Sequence, residues 1–109
     1  MPKIHLIEKL GNFHTIDKEN REYESFCWAV TEEQAAKLVG GQIYFHKAQD
    51  MLSHYGGTIL SYRVLPEDAN GPYEVPGRIV FKFKATLDCK DVKAGKDDWA
   101  MEKKFVWDN

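Results

Sequence analysis

The chain has 109 residues, the length of one ordinary domain, and 43% of them are hydrophobic and 29% charged, which is typical of a globular fold. Its 15 Lys and Arg residues against 17 Asp and Glu residues give a net charge of −2. This balance argues against broad, non-specific nucleic-acid binding, which usually relies on a basic surface. It leaves room for a local basic groove. We predict a single domain over residues 1–109.

The sequence shows no sign of membrane insertion, export or metal binding. No apolar run approaches the ~20 residues that a membrane-spanning helix needs. The N-terminal sequence MPKIHLIE lacks the apolar core of a signal peptide, so we expect a cytoplasmic location. Cys27 and Cys89 form no CxxC pair, and we interpret them as small apolar residues of buried strands rather than as a disulfide or metal site. No HxH or HExxH spacing supports zinc, so no cofactor or metal is predicted.

Taken in chain order, the first pattern is the alternation of apolar and polar residues over Lys3–Ile7, which predicts a short strand. The densely charged residues 17–24 predict a solvated loop or helical turn. Residues 25–30, SFCWAV, form a near-continuous apolar run that is typical of a buried strand.

A helix is predicted at about 31–39. The sequence Thr31-Glu-Glu-Gln34 fits a capping box, in which the Thr31 side chain accepts the Gln34 backbone N–H and the Gln34 side chain accepts that of Thr31. Two glutamates in the first turn suit the positive end of the helix dipole. Gly40 is a typical residue to end the helix.

Residues 40–65 are the stretch around which we expect the chain to be organised. Two runs rich in β-branched and aromatic residues, QIYFHK and TILSYRVL, each follow a pair of glycines. We predict two neighbouring strands joined by a loop over residues 48–57. This loop is longer than a tight hairpin requires, and its side chains could face a ligand. The polar and aromatic residues of the loop are Ser53, His54 and Tyr55.

Two further strands complete the predicted fold. Residues 78–87 alternate, with Phe81 and Phe83 on one face and Lys82 and Lys84 on the other. Residues 103–107 predict a last strand near the sheet edge. Short connections favour an α+β fold with a small, mostly antiparallel curled sheet or β-barrel.

These elements resemble the PUA-like superfamily, and its EVE and ASCH branches in particular, over about residues 25–87. A strand ending at Trp28, a helix and the sequence GGQIYFH are similar to that family's G-D-x-hydrophobic-x-F-Y/H strand, and YGGTILSYRV is similar to the strand that follows. Gln42 stands where the family often has Asp. The ASCH-type G-x-K-x-x-E segment is missing, which counts against the hydrolase or ribonuclease activity of that branch. The resemblance implies a cleft beside the barrel that holds a nucleobase, often a modified one.

Candidate ligand-binding residues are the aromatic and polar side chains on and around the central stretch. Each aromatic residue is also compatible with a place in the core, but Trp99 lies in a charged segment where a purely structural tryptophan is less expected. A nucleophile needs a base within about 3 Å, which sequence alone does not show, so no catalytic residue is assigned. The candidates are Trp28, Tyr44, His46, Ser53, His54, Tyr55 and Trp99.

Four cations are candidates for phosphate contact, with a solvated strand face as the alternative: Arg63, Arg78, Lys82 and Lys84. We therefore predict a small non-enzymatic binding domain for a nucleobase or nucleotide-like ligand, with a modified base in nucleic acid as one such ligand. The alternatives are a protein-interaction or regulatory module and, ranked last, a small hydrolase using His46 or His54.

Overall fold

A computed structural model describes residues 2–9, 13–71, 74–95 and 97–107. The elements are β1 (Lys3–Ile7), β2 (Phe13–Asp17), β3 (Glu22–Trp28), α1 (Glu32–Leu38), β4 (Gln42–His46), β5 (Ser53–Val64), β6 (Ile79–Ala85), a 3₁₀ turn at Leu87–Cys89, and β7 (Lys103–Val106). No helix in the described ranges has the length and apolar character needed to cross a bilayer.

The described strands form one seven-stranded sheet in the order β2-β3-β6-β5-β4-β1-β7. Strands β1 and β4 pair in parallel, and the other neighbouring strands pair antiparallel. The predicted α+β class and the mostly antiparallel curled sheet are confirmed. Within the described residues the sheet keeps two edges, β2 and β7, and does not close into a barrel.

The main hydrophobic core lies on the inner face of the curled sheet. Strands β1, β4 and β6 contribute fully buried side chains, and α1 adds Ala35 and Leu38. Trp28 of β3 and Ile4 of β1 belong to this same core. In a flat sheet these two strands would be about 19 Å apart, because three strands separate them and each step is ~4.8 Å. The shared core therefore requires a strong curl.

Two glycines inside β5 permit the close packing that goes with this curl. A Cβ atom on Gly57 would lie 1.9 Å from the Lys84 carbonyl oxygen of β6. One on Gly56 would lie 2.2 Å from the Ile43 carbonyl oxygen of β4 and 2.8 Å from Cys89 Cβ. Only hydrogen fits at these positions, where neighbouring backbones and the 3₁₀ turn approach closely.

The predicted loop over 48–57 is therefore wrong. Strand β5 already starts at Ser53, which pairs with His46, and Tyr55 pairs with Phe45. The connection is limited to residues 47–52. The second glycine pair lies within a strand, where it relieves backbone crowding, whereas Gly40 and Gly41 precede β4 as predicted, with φ of +88° at Gly40.

The predicted helix is confirmed, including its capping box. The Thr31 hydroxyl accepts from the Gln34 N–H at 3.1 Å, and the Gln34 side-chain oxygen accepts from the Thr31 N–H at 3.1 Å. The helix packs against the C-terminal half of β5, where the Tyr62 hydroxyl donates to Glu32 at 3.1 Å. The opposite end of the curled sheet is not covered by α1.

Residues 17–24 form a hairpin, which their dense charge made us interpret as a loop or helical turn. Instead of one loop, this segment is the end of β2, a turn and the start of β3. The Asp17 carboxylate accepts from the Asn20 backbone and side chain, and Arg21 takes a positive φ of 56°. Two other details were also wrong. The sixth strand ends at Ala85 and leaves Leu87 74% exposed, and Cys89 lies in the 3₁₀ turn rather than in a strand.

The close approach at Gly57 gives a direct test of the packing. Replacing Gly57→Ala should lower the free energy of unfolding by about 1–3 kcal/mol, as overpacking does, because β5 and β6 must separate. Urea denaturation measures this. The matched control is Ser61→Ala on the exposed part of β5, expected within about 0.5 kcal/mol of the parent. Equal stability of the two variants would contradict the account of the curl.

Candidate ligand-binding site

The end of the curled sheet opposite α1 holds a hollow of about 280 Å³ walled by aromatic rings. We call it the aromatic hollow. Phe13 comes from β2, Tyr23 from β3, and His54 and Tyr55 from β5. The rings of Phe13, Tyr23 and Tyr55 face inward because these residues occupy the core-facing positions of their strands and pack against the core.

The rings of the aromatic hollow are held by core neighbours and remain half-buried. Phe13 lies 4.9 Å from Phe45 between ring centroids, and Tyr55 lies 6.0 Å from Phe83. Tyr23 and Tyr55 meet at 6.0 Å with an interplanar angle of 70°. The walls are therefore fixed by packing, and they stand at steep angles to one another around the hollow.

The Tyr55 hydroxyl stays protonated at neutral pH. Burial, followed by the hydrogen bond with the Tyr23 hydroxyl, raises the pKa of Tyr55 to about 12. The Arg21 charge acts in the opposite direction, which places this guanidinium within electrostatic range of the hollow. A neutral phenol both donates and accepts hydrogen bonds, so the rim of the hollow can read polar ligand edges.

Two cations line a separate depression at the turn between β2 and β3, and we call them the basic rim: Arg21 and Lys84. The depression has a volume of about 380 Å³, and Glu19 and Asn20 also line it. The Arg21 carbonyl accepts from the Ala85 N–H at 2.9 Å, which joins the hairpin turn to the end of β6. Lys84, predicted from sequence as a phosphate contact, is exposed on the face of β6 opposite to Phe83, so its side chain points away from the aromatic rings. Arg21 was not singled out from the sequence, because it lay in the segment interpreted as a loop.

The other three phosphate candidates lie elsewhere. Arg63 makes a two-pronged contact with Glu24 at 2.9 and 3.2 Å, and Lys82 pairs with Glu22 at 3.4 Å. Carboxylates of β3 thus alternate with the cations of β5 and β6 on this face, which has mixed charge. Arg78 lies in a separate cleft together with Trp28.

Trp28 is part of the core and lines the floor of that separate cleft. Its side chain is 4% exposed, and its indole N–H donates to the Ser25 hydroxyl at 3.0 Å. A register shift between Ser25 and Trp28 forms a bulge in β3 that brings these two side chains to the same face. Its small exposed area gives Trp28 little surface for stacking.

A buried histidine pair occupies the other face of the sheet. His5 Nδ1 and His46 Nε2 lie 2.8 Å apart, and His46 Nδ1 lies 2.8 Å from the Met51 carbonyl oxygen. A carbonyl only accepts, so His46 donates through Nδ1 and accepts at Nε2 from the His5 Nδ1–H. This assignment takes His46 as neutral, and burial lowers the pKa of both rings, which favours their neutral forms. His5 was missed from sequence because it looked like the polar position of an ordinary exposed strand.

The residues between β6 and β7 cover this pair, and we call the described residues 86–95 and 97–102 the covering segment. The Trp99 ring meets His46 edge-on at 5.8 Å, and its indole N–H donates to the Gly95 carbonyl at 2.8 Å. Tyr44 stacks on His5 at 4.7 Å. Trp99 and Tyr44 therefore enclose the histidine pair. The sheet lies between them and the aromatic hollow, which is on the opposite face.

Ser53 anchors the covering segment to β5. Its hydroxyl donates to the Cys89 carbonyl at 2.6 Å and accepts from the Val92 N–H at 2.9 Å. These partners are backbone groups, and neither is a histidine. The geometry that a histidine-activated serine requires is therefore absent at this residue. The structure thus separates the predicted ligand residues, and it places His54 and Tyr55 together in the aromatic hollow.

Comparison of the chain with protein-family models, with curated proteins and with solved structures gives no match. The resemblance to PUA-like proteins therefore stays a prediction. Within the described part of the chain, no three or more His, Cys, Asp or Glu side chains gather in a way that would hold a metal ion.

The histidine pair predicts a loss of stability in mild acid. Burial, followed by the nearby His46, Lys104 and Lys3, lowers the pKa of His5 from 6.5 to about 4. Burial also lowers the pKa of His46. Unfolding then takes up protons, so the free energy of unfolding is greatest above about pH 6.5 and falls as the pH drops towards 4.

The matched variant is His5→Gln, whose amide can still donate to His46 Nε2 but does not titrate. Urea denaturation at intervals between pH 7 and 4 should show a flatter pH profile in this variant than in the parent. Parallel profiles would mean that His5 is not held neutral in the folded protein.

Proposed function

We propose that this chain is a small binding domain that takes a nucleobase, as part of a nucleotide-like molecule or of nucleic acid, in the aromatic hollow. The observation that carries the proposal is an aromatic-walled hollow with the Arg21 charge within electrostatic range of its Tyr55 hydroxyl. Proteins that bind single-stranded nucleic acid combine stacking rings with positive charges that follow the phosphates. The net charge of −2 restricts such contacts to a local patch.

The size of the hollow favours a base alone rather than a whole nucleotide. Its volume of about 280 Å³ lies just below the ~300–1,000 Å³ of pockets that enclose drug-sized ligands. The sugar and phosphate would then remain outside. Arg21, whose charge acts on Tyr55, is the cation towards which an anionic group would lie.

Polar groups around the hollow supply hydrogen bonds for the edge of a base. The Tyr23 and Tyr55 hydroxyls each donate and accept. His54 Nε2 lies 3.3 Å from the Glu8 carbonyl oxygen, so Nε2 donates this bond and Nδ1 is the ring nitrogen left for a ligand. Stacking then gives affinity for flat rings, and these groups discriminate between bases.

A protein-interaction module is the second candidate, and the edge strand β7 favours it. Trp107 directly follows β7, is 43% exposed and stacks on Phe105 at 5.1 Å. Exposed aromatic residues beside an unpaired strand edge are typical of partner surfaces. Light scattering distinguishes this candidate, since a defined oligomer lost on Trp107→Lys would support it.

For the base-binding proposal, the first test removes one ring. Tyr55→Leu keeps the apolar volume but not the stacking surface, and it should weaken binding of labelled single-stranded oligonucleotides by about 5- to 100-fold in fluorescence anisotropy. The control is Tyr62→Leu, on the same strand but beside α1. Equal affinities for the two variants, with both folded by circular dichroism, would contradict stacking in the hollow.

The second test removes one cation of the basic rim. Arg21→Asn suits the positive φ at this position and removes the charge. The slope of log affinity against log salt should fall by about one phosphate contact, with base preference unchanged. Arg63→Gln is the control, because that guanidinium is already paired with Glu24. A slope that falls only in the control would place the phosphate on the mixed-charge face instead.

A further inference from the structure

A single Asn-Gly sequence, Asn70-Gly71, lies in the connection between β5 and β6. Asn70 is exposed, and its side-chain amide forms no hydrogen bond with any residue that the structure describes. At the base of this connection, the backbone of the buried Leu65 pairs with the Arg78 carbonyl and the Gly77 N–H, each at 2.9 Å. The Asn-Gly pair therefore lies on an exposed excursion of the chain whose base is fixed to the core.

The chemistry of this pair is that of an asparagine side chain beside the backbone nitrogen of the next residue. When that nitrogen loses its proton, it can attack the side-chain carbonyl carbon and close a succinimide ring. The bond to the side-chain nitrogen breaks, and this nitrogen takes up a proton and leaves as ammonia. Water then opens the imide at either carbonyl carbon, which yields aspartate or isoaspartate. Glycine favours ring closure, because it has no Cβ atom to hinder the approach and restricts the backbone least.

The nitrogen that would attack is already engaged in the folded chain. The Gly71 N–H donates to the Glu74 carboxylate at 2.9 Å. The Glu74 side chain also lies over Gly71, where a Cβ atom would be 2.8 Å from the same carboxylate oxygen. The hydrogen bond stabilises the N–H form, and the negative charge of the carboxylate repels the anion that deprotonation produces. Glu74 thus opposes the first step of the reaction.

We propose that Asn70 is a site of spontaneous deamidation, through a succinimide formed with Gly71, and that Glu74 restrains its rate. The imide nitrogen carries no hydrogen, so the bond to Glu74 is lost when the ring closes. The product adds a negative charge to a connection that already carries Glu67 and Asp68. Because the contacts of Leu65 lie outside the reacting pair, the sheet stays folded after the change.

Incubation of the purified protein in mildly alkaline buffer, followed by peptide mapping with liquid chromatography and mass spectrometry, tests the site. Aspartate and isoaspartate should accumulate at position 70. Asn20 is an internal control, because it is also exposed, is followed by Arg21, and donates from its side-chain nitrogen to Asp17 at 2.7 Å. Conversion of Asn20 at the same rate as Asn70, or no conversion of Asn70, would overturn the proposal.

A pair of variants tests the restraint. Glu74→Gln keeps the size of the side chain and an acceptor oxygen but removes the charge. It should speed conversion of Asn70 by about fivefold or more, because unit charges ~4 Å apart have an effect of this size even in bulk water. Glu67→Gln removes an exposed carboxylate from the same connection and should match the parent. Equal rates in the two variants, or slower conversion in Glu74→Gln than in the parent, would refute a restraining role of Glu74.

Discussion

The close approach of β5 to its two neighbours is the constraint on which the rest of the structure depends. At Gly56 and Gly57 the carbonyl oxygens of β4 and β6 lie where a Cβ atom would otherwise be. With this close packing, the sheet is curled so strongly that side chains of β3 and β1 belong to one core. The curl in turn produces both concave features. One is the aromatic hollow at the end that α1 leaves uncovered, and the other is the separate cleft that Trp28 and Arg78 line, between strands that are far apart in sheet order.

The two faces of the sheet stabilise the candidate site in different ways. On the inner face, aromatic rings of the core fix the walls of the aromatic hollow through edge and tilted contacts. On the outer face, Ser53 of β5 bonds to the covering segment. The His5–His46 pair joins β1 to β4, and His46 also bonds to the Met51 carbonyl. These outer contacts fix the start of β5, and with it the direction of His54 and Tyr55. The candidate site therefore depends on a polar cluster that does not itself line the hollow.

The sequence predicted local structure well where short-range chemistry determines it. The capping box defined α1, alternation defined β1, and both agree with the structure. Prediction from the sequence failed where long-range packing determines the structure. Glycines typical of turns proved to lie in a strand because neighbouring backbones crowd them, and a dense run of charges hid a hairpin whose Tyr23 faces inward.

Only the part of the candidate site that is local in sequence was predicted. His54 and Tyr55 were identified because they stood near other polar and aromatic residues in the chain. Phe13 and Tyr23 reach the hollow only through pairing of β2 with β3 and of β3 with β6, which no local pattern reveals. Trp28, Tyr44 and Trp99 attracted attention as aromatic residues. Burial of the first two and the contact of the third with the histidine pair give them roles in packing.

The central claim is that the aromatic hollow accepts a flat heterocycle with its phosphate towards Arg21. Titration of the isotopically labelled protein with nucleoside monophosphates, followed by NMR chemical shifts, measures this most directly. We expect ring-current shifts at Tyr23, Tyr55 and Phe13, accompanied by shifts at Arg21. Shifts confined to β7 and Trp107, or no shifts with any of the nucleotides, would contradict it.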